Sequence, residues 1–210
     1  MFDQIKNLFQ NRRTVRYASS ADIPEDDVKK LIDVTQLAPS SDKAFCYKIY
    51  ALTNSPDAIE RKTGLVEFAR CGIDVPGDTF HNREINLSLL SGLVFYFTIP
   101  EVRSDPRPKS KNYAIIDATI NATMIMMAAE AMGYKTAFSA VITDRPDSRK
   151  ILTGGTEEEI ILAVSVSVPR DTEIPESMKD KTPVSFKGQI PYVKSNKHLS
   201  IKKTASVTII

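Results

Sequence analysis

Arg12-Arg13-Thr14-Val15-Arg16 puts three guanidinium groups and a hydroxyl within five residues. Arginine offers a planar, permanently charged fork of donors suited to phosphate, so this spacing can build an anion site. A solvated basic turn would have the same composition, and these residues alone do not choose between the two. Other reactive side chains are scarce. With two cysteines, Cys46 and Cys71, and two histidines, His81 and His198, the chain can form neither a disulfide framework nor a histidine-rich metal site, and no metal ligands are expected. Cys46 leads into a strand-like run and reads as buried packing rather than a nucleophile. Nothing near His81 in the sequence orients it as a base, so it reads as a surface residue. Gly154-Gly155 lacks the third glycine of a dinucleotide fingerprint, and neither a P-loop nor a Gly-x-Ser-x-Gly nucleophile elbow is present. A sequence with no acid, base and nucleophile set suggests a reactive centre borrowed from a cofactor, with no catalytic side chain required.

The elements that must carry these residues follow from periodicity. Phe2, Ile5, Leu8 and Phe9 recur at helical spacing, which predicts a short amphipathic helix over Phe2 to Gln10 with its apolar face on the body of the protein. Pro24 with Glu25, Asp26 and Asp27 has the form of a helix start, followed by Val28, Leu31, Ile32 and Leu37 as the buried stripe and an end before Pro39. A strand is expected over Tyr47 to Thr53 and a helix from Ser55-Pro56 through about Ala69. A loop over Cys71 to Asp78 and a mostly polar helix near His81 to Leu90 come next. Gly92 to Ile99 is an apolar run of central-strand length, and Glu101 to Lys111 is a surface excursion.

A long apolar helix is expected from about Asn112 to Met132, stopping at Gly133. Its Asp117, Thr119, Asn121, Thr123 and Glu130 would be costly in hydrocarbon, so the helix is expected inside protein and not in a membrane. Strands over Thr136 to Ile142 and Ile160 to Val168 flank a short helix, Pro146 to Leu152. In the second strand Val164, Val166 and Val168 alternate with Ser165 and Ser167, which predicts one packed face and one face that is polar or turned to a site. Helices and strands interleave into one α+β or α/β domain over residues 1–192, with a basic tail over residues 193–210.

The 210 residues are 42% hydrophobic and 26% charged, an ordinary globular composition with enough length for a substantial core. Basic residues number 28 against 26 acids, a net charge of +2, which argues against a surface given over to nucleic acid. Lys194, Lys197, Lys202 and Lys203 add a basic tail, but no aromatic stacking residue follows Tyr192, so no nucleic-acid partner is expected. Asp3 and Lys6 interrupt the N-terminal segment before any apolar run of leader length, and a cytoplasmic location is expected.

Taken in order, Arg12-Arg13-Thr14-Val15-Arg16, Leu37-Ala38-Pro39-Ser40-Ser41 and Asp117-Ala-Thr-Ile-Asn121 through Gly133-Tyr-Lys-Thr136 resemble the FMN-dependent nitroreductase family, over about Leu8 to Pro169. The resemblance implies an α+β nitroreductase-like fold, with a central mixed sheet surrounded by helices, in an intertwined homodimer holding FMN at the subunit interface. The helix over residues 112–132 resembles the dimer-forming helix of that family. NADH or NADPH would be the hydride donor, and a small electron-poor molecule of the nitroaromatic or quinone class the acceptor.

Carried over position by position, Arg12, Arg13, Thr14 and Arg16 would grip the flavin, with Arg16 at the ring edge and Arg12 and Thr14 nearer the phosphate. Pro39, Ser40, Ser41 and Lys43 fall in the segment that covers the flavin of the other subunit, where Pro39 and Ser40 match the family. In the family that segment reads Pro-Ser-x-x-Asn-x-Gln-Pro-Trp, whereas Lys43, Phe45, Cys46 and Tyr47 stand at its last four defined positions here. A different acceptor on the same fold therefore stays open, as does a flavin-binding protein that carries or senses rather than catalyses. Phe138, Ser139 and Ala140 match the segment whose backbone amides approach flavin N5. Lys179 and Lys181 lie where the family supplies a basic pair to the phosphate.

Overall fold

The computed structural model describes residues 2–12, 14, 19–40, 45–66, 87–100, 111–139, 146–155 and 158–169. Within them the chain runs α1 (Phe2–Asn11), α2 (Glu25–Thr35), β1 (Lys48–Leu52), α3 (Pro56–Val66), a 3-10 turn (Leu87–Leu90), β2 (Leu93–Pro100), α4 (Lys111–Ala131), β3 (Lys135–Ser139), α5 (Pro146–Thr153) and β4 (Glu158–Ser167). The four strands form one sheet in the order β1-β2-β4-β3, every neighbouring pair antiparallel. Among the described residues, the parallel component of the expected mixed sheet is an isolated bridge between Thr14 and Thr136. The class is α+β, as the interleaved periodicities implied.

β2 is apolar along its length because helices cover both faces of the sheet. Leu93, Phe95 and Phe97, with Leu162, Val164 and Val166 of β4, pack beneath Val28 and Leu31 of α2 and Ala118, Ala122, Ile125 and Ala129 of α4. On the opposite face Val94 and Tyr96, with Ile160 and Ala163, meet Ala58, Leu65 and Val66 of α3 and Leu152 of α5. A strand buried on both sides reads as a continuous apolar run instead of an alternating one. Each large side chain fully withdrawn from water adds roughly 1.5–3 kcal/mol. The register shifts between Phe97 and Thr98, which pair with Leu162 and Ile160, so Ile161 is the extra residue of a bulge. That bulge lets Leu162 and Ile160 serve the two different cores although both are spaced as one face.

α4 is long and apolar enough by composition to cross a membrane. Its polar residues Asp117, Asn121 and Glu130 are nevertheless buried within the protein, on the side that also buries the alanines. The Thr119 and Thr123 hydroxyls donate back to the carbonyls of Ile115 and Thr119, at 2.7 and 2.8 Å. Gly133 ends the helix at φ 90°, while Tyr134 N–H returns to the Ala129 carbonyl at 2.9 Å. The other side of α4 leaves Tyr113 and Ile116 exposed.

Three expectations are corrected. α1 does not lay its apolar face on the body: none of its residues is buried, and Phe2 and Phe9 are 75% and 60% exposed. A helix of ten residues with four apolar positions gains its burial from whatever lies beside it, and the described residues offer too little. α2 ends at Thr35, so Leu37 lies beyond the helix and is 72% exposed; Ile32 is also exposed, and the buried stripe is Val28, Leu31 and Thr35. Ser165 and Ser167 do not form a polar face open to a site. Both are buried, and their hydroxyls donate to the Ala137 and Lys135 carbonyls of β3 at 3.4 and 3.3 Å.

The loop expected over 71–78, the excursion over 101–110, the segment over 170–192 and the tail over 193–210 lie outside the described residues, as do Cys71, His81 and the helix expected near 81–90 apart from its 3-10 end.

Candidate functional site

The basic segment begins as α1 ends. Arg12 N–H still donates to the Leu8 carbonyl at 2.9 Å, which turns the half-buried Arg12 side chain toward α4. Its Nη1 donates to Thr14 Oγ1 at 3.4 Å and lies 4.0 Å from Met126 Sδ. Two residues on, the Thr14 backbone bridges to Thr136 in β3. Guanidinium and hydroxyl are thereby set against the outer edge of the sheet.

That edge is itself held from behind. Glu130, in the last turn of α4, is buried, and its Oε1 accepts the Thr136 backbone N–H at 3.1 Å and the Thr136 hydroxyl at 2.8 Å. Lys135 Nζ reaches Glu130 Oε2 at 3.4 Å and partly balances the charge. Since the Thr136 N–H points away from β4, the alternation of an antiparallel ladder turns the Phe138 N–H and carbonyl to the same outer edge. At strand rise the two residues are roughly 7 Å apart. A cation and hydroxyl at one end, with an outward backbone donor farther along, suit an elongated ligand that carries an anionic group and a polar ring edge.

On the far side of the basic segment, the chain is fastened again at 19–22. Gly92 N–H donates to the Ser19 carbonyl at 3.2 Å, and a Cβ at Gly92 would collide with the Ala21 carbonyl oxygen, so only glycine admits this approach. Asn54 Nδ2 donates to the Ser20 carbonyl at 2.8 Å and to Asp22 Oδ1 at 2.6 Å. Its Oδ1 accepts Lys62 Nζ at 2.7 Å, and the same ammonium donates to the Ser91 carbonyl at 2.8 Å. Lys62 is 2% exposed, and burial pulls its pKa down to about 8 against the opposing charge of Asp22.

Of the residues expected at the site, Arg12, Thr14 and the β3 pair Phe138 and Ser139 come together around this edge; Phe138 packs partly on the core and Ser139 is buried. Pro39 and Ser40 sit elsewhere, past the end of α2. There Pro39 is exposed, and Ser40 Oγ accepts the Phe45 N–H at 3.4 Å. Phe45 has φ 43°, a left-handed conformation rare for a bulky residue, and its ring meets Tyr47 edge-on at 6.2 Å. Cys46 is buried, in keeping with a packing role. Arg13, Arg16, Ser41, Lys43, Ala140, Lys179 and Lys181 lie outside the described residues.

Sequence reasoning missed Glu130, Lys62 and Asn54 as positioning residues. The signal for Glu130 is its lone charge in the last turns of an apolar helix; for Lys62 and Asn54 the sequence holds none, because their partners lie in segments up to 34 residues away.

The nitroreductase family model matches residues 9–167, and the chain belongs to the nitroreductase family. Among solved structures, the chain is similar to a nitroreductase with bound FMN from Bacteroides fragilis NCTC 9343, at 16% identity and TM-score 0.63, covering 82% of this chain and 92% of that one. It is also similar to a nitroreductase family protein from Clostridium novyi NT, at 17% identity and TM-score 0.59, with 80% and 87% covered. An FMN-dependent nitroreductase from Clostridium difficile R20291 aligns at 17% identity and TM-score 0.55, with 82% and 93% covered. At such identities the shared feature is the fold. Comparison with curated proteins gives no match.

Proposed function

We propose that the chain is an FMN-dependent oxidoreductase that draws hydride from NADH or NADPH and reduces a small electron-poor molecule of the nitroaromatic or quinone class. The observation that carries this reading is the Thr14–Thr136 bridge, which sets Arg12 and Thr14 at the outer edge of β3 in a chain of the nitroreductase family. The donor set fits FMN. A charge-assisted bond from Arg12 suits the phosphate and is worth roughly 1.5–3 kcal/mol, Thr14 adds a neutral donor, and the outward Phe138 N–H suits a ring-edge acceptor. Arg13 and Arg16 extend the same basic segment, with Arg16 assigned to the ring edge, where a fixed cation favours the reduced, anionic state. Ser139, Ala140, Lys179 and Lys181 are assigned to the same cofactor. When bound, FMN supplies hydride acceptance and electron transfer, so the protein's part is to bind, orient and enclose.

The functional unit in this reading is a homodimer. Phe2, Ile5 and Phe9 on α1 and Tyr113, Ile116 and Ile120 on α4 are exposed apolar positions at helical spacing, the surface a second copy would cover. Pro39, Ser40, Ser41 and Lys43 are then assigned to the flavin of the partner subunit. A reductase that consumes NADH or NADPH belongs in the cytoplasm, with neither membrane nor nucleic acid as partner.

Anaerobic mixing of the FMN-loaded protein with NADH and with NADPH, followed at the visible flavin bands, tests the reading. At least one donor is expected to bleach the bands, and re-addition of a quinone to restore them. Bands that respond to neither donor would overturn the enzyme reading in favour of a flavin carrier.

A further inference from the structure

The connection from α2 to β1 carries Pro39, Ser40, Ser41 and Lys43, the residues assigned above to the flavin of the partner subunit. Its two ends are tied together by one side chain of α4. Asn121 is 1% exposed, and its Nδ2 donates at 2.8 Å to the carbonyl of Thr35, the last residue of α2. The same nitrogen donates at 2.8 Å to the hydroxyl of Tyr47, the residue before β1. The Thr35 carbonyl can only accept, which fixes the amide with its nitrogen toward both partners.

Tyr47 in turn supports an exposed aromatic. It is buried, with its ring tilted on Phe97 of β2 at 5.9 Å, whereas Phe45, whose ring meets Tyr47 edge-on at 6.2 Å, is 40% exposed. The Phe45 backbone is left-handed at φ 43°, and its N–H donates to Ser40 Oγ at 3.4 Å, so a strained residue is fastened to a serine already assigned to the flavin. Strain of this kind persists only where the surrounding structure over-determines it, and it collects at positions that meet ligands. A cavity of about 420 Å³, bounded in part by Phe45, Tyr47, Ile49 and Phe95, lies beside the two rings. Packing thus leaves the Phe45 ring room to turn inward, and its edge-on contact with an anchored Tyr47 keeps it out.

We infer that Asn121 is a positioning residue: by anchoring the Tyr47 hydroxyl it holds the Phe45 ring outward beside Ser40, as an aromatic face for a flat, electron-poor acceptor at the partner subunit's flavin. It rests on the FMN reading above and narrows the acceptor to planar aromatic molecules, because a ring discriminates by stacking or edge-to-face contact that a non-aromatic oxidant cannot make. Asn121 itself stays buried and acts only through Tyr47.

Two measurements on the full chain test this. In flavin-free protein, amide exchange followed by NMR should speed up at Phe45 in Asn121→Ala and in Tyr47→Phe by about threefold to tenfold, the fold-change of one net hydrogen bond. Exchange at Phe95 in β2 should not follow, whereas a loss of overall stability would move both. If Asn121→Ala does not fold, Tyr47→Phe, which keeps the ring, carries the test. In FMN-loaded protein reduced photochemically, so that the nicotinamide donor does not enter, reoxidation by p-nitrobenzoate is compared with reoxidation by ferricyanide, an anionic oxidant with no ring. The ratio of the two rate constants should fall about twofold to tenfold in Phe45→Ala and in Tyr47→Phe, the fold-change of one aromatic pair. The double variant should fall no further than Phe45→Ala, since Tyr47 acts through Phe45. An unchanged ratio in Tyr47→Phe, additive losses in the double variant, or a wild-type flavin that p-nitrobenzoate does not reoxidise would overturn the inference and leave FMN binding standing. A wild type that retains no FMN would overturn both.

Discussion

The Glu130 carboxylate holds Thr136 twice, through its backbone N–H at 3.1 Å and its hydroxyl at 2.8 Å, and Thr136 in turn is the residue bridged to Thr14. A single buried side chain therefore links the dimension of the sheet edge to the position of the basic segment. Glu130→Ala leaves a buried N–H and hydroxyl unpaired and should lower unfolding free energy by about 2–3 kcal/mol. Glu130→Gln keeps an acceptor for Thr136 and should cost about half as much. Urea unfolding of the two variants checks this; a Glu130→Ala protein within about 0.5 kcal/mol of wild type would contradict it.

Lys62 sets a pH dependence whose sign is fixed. Its folded pKa is about 8 against the ordinary lysine value of 10.5, so above pH 8 the folded state sheds a proton that the unfolded chain keeps. Stability contributed by this group therefore rises between about pH 8 and pH 10, by on the order of 2–3 kcal/mol. Tyr50 and Tyr134 work against it higher up: burial first, then the hydrogen bonds to Glu158 and Asp27, push both to about 12, so their contribution is lost as pH rises through that value. Chemical unfolding at pH 7.5 and pH 9.5 should show a gain for wild type that Lys62→Met lacks. Equal slopes in the two proteins would contradict the assignment.

Tyr96 is fully buried between β2 and the α3 layer, and its hydroxyl has no hydrogen-bond partner among the described residues. Burial raises its pKa strongly, so the group is a neutral, unpaid polar atom in an apolar core. Tyr96→Phe should be neutral or raise stability by about 1 kcal/mol, read as an upward shift of Tm in calorimetry. A loss of more than about 1 kcal/mol would mean that the hydroxyl has a partner after all.

Periodicity made most of the fold legible. β2 and α4 announced themselves because burial on one or both sides leaves long apolar runs, and Gly133 marked the end of α4 through its left-handed backbone. The failures share a physical cause, which is that a side chain's periodicity does not reveal what lies opposite it. Phe2, Ile5 and Phe9 have the spacing of a core-facing helix and are exposed, because no described residue covers them. Ser165 and Ser167 have the alternation of a half-open strand and are buried, because β3 supplies carbonyls for their hydroxyls. At the candidate site, local chemistry singled out Arg12 and Thr14 but only the family resemblance chose a flavin site over a solvated basic turn, whereas Glu130 and the clamp of Lys62, Asn54 and Gly92 depend on long-range contacts that spacing does not encode.

Equilibrium titration of flavin-stripped protein with FMN, read by quenching of flavin fluorescence, tests the central claim most directly. The account predicts saturation at one FMN per chain in the assembled protein, with Arg12→Ala at least tenfold weaker, the loss of about one charge-assisted bond. A wild-type protein that leaves FMN fluorescence unchanged, or an Arg12→Ala variant that binds FMN as tightly as wild type, would contradict it.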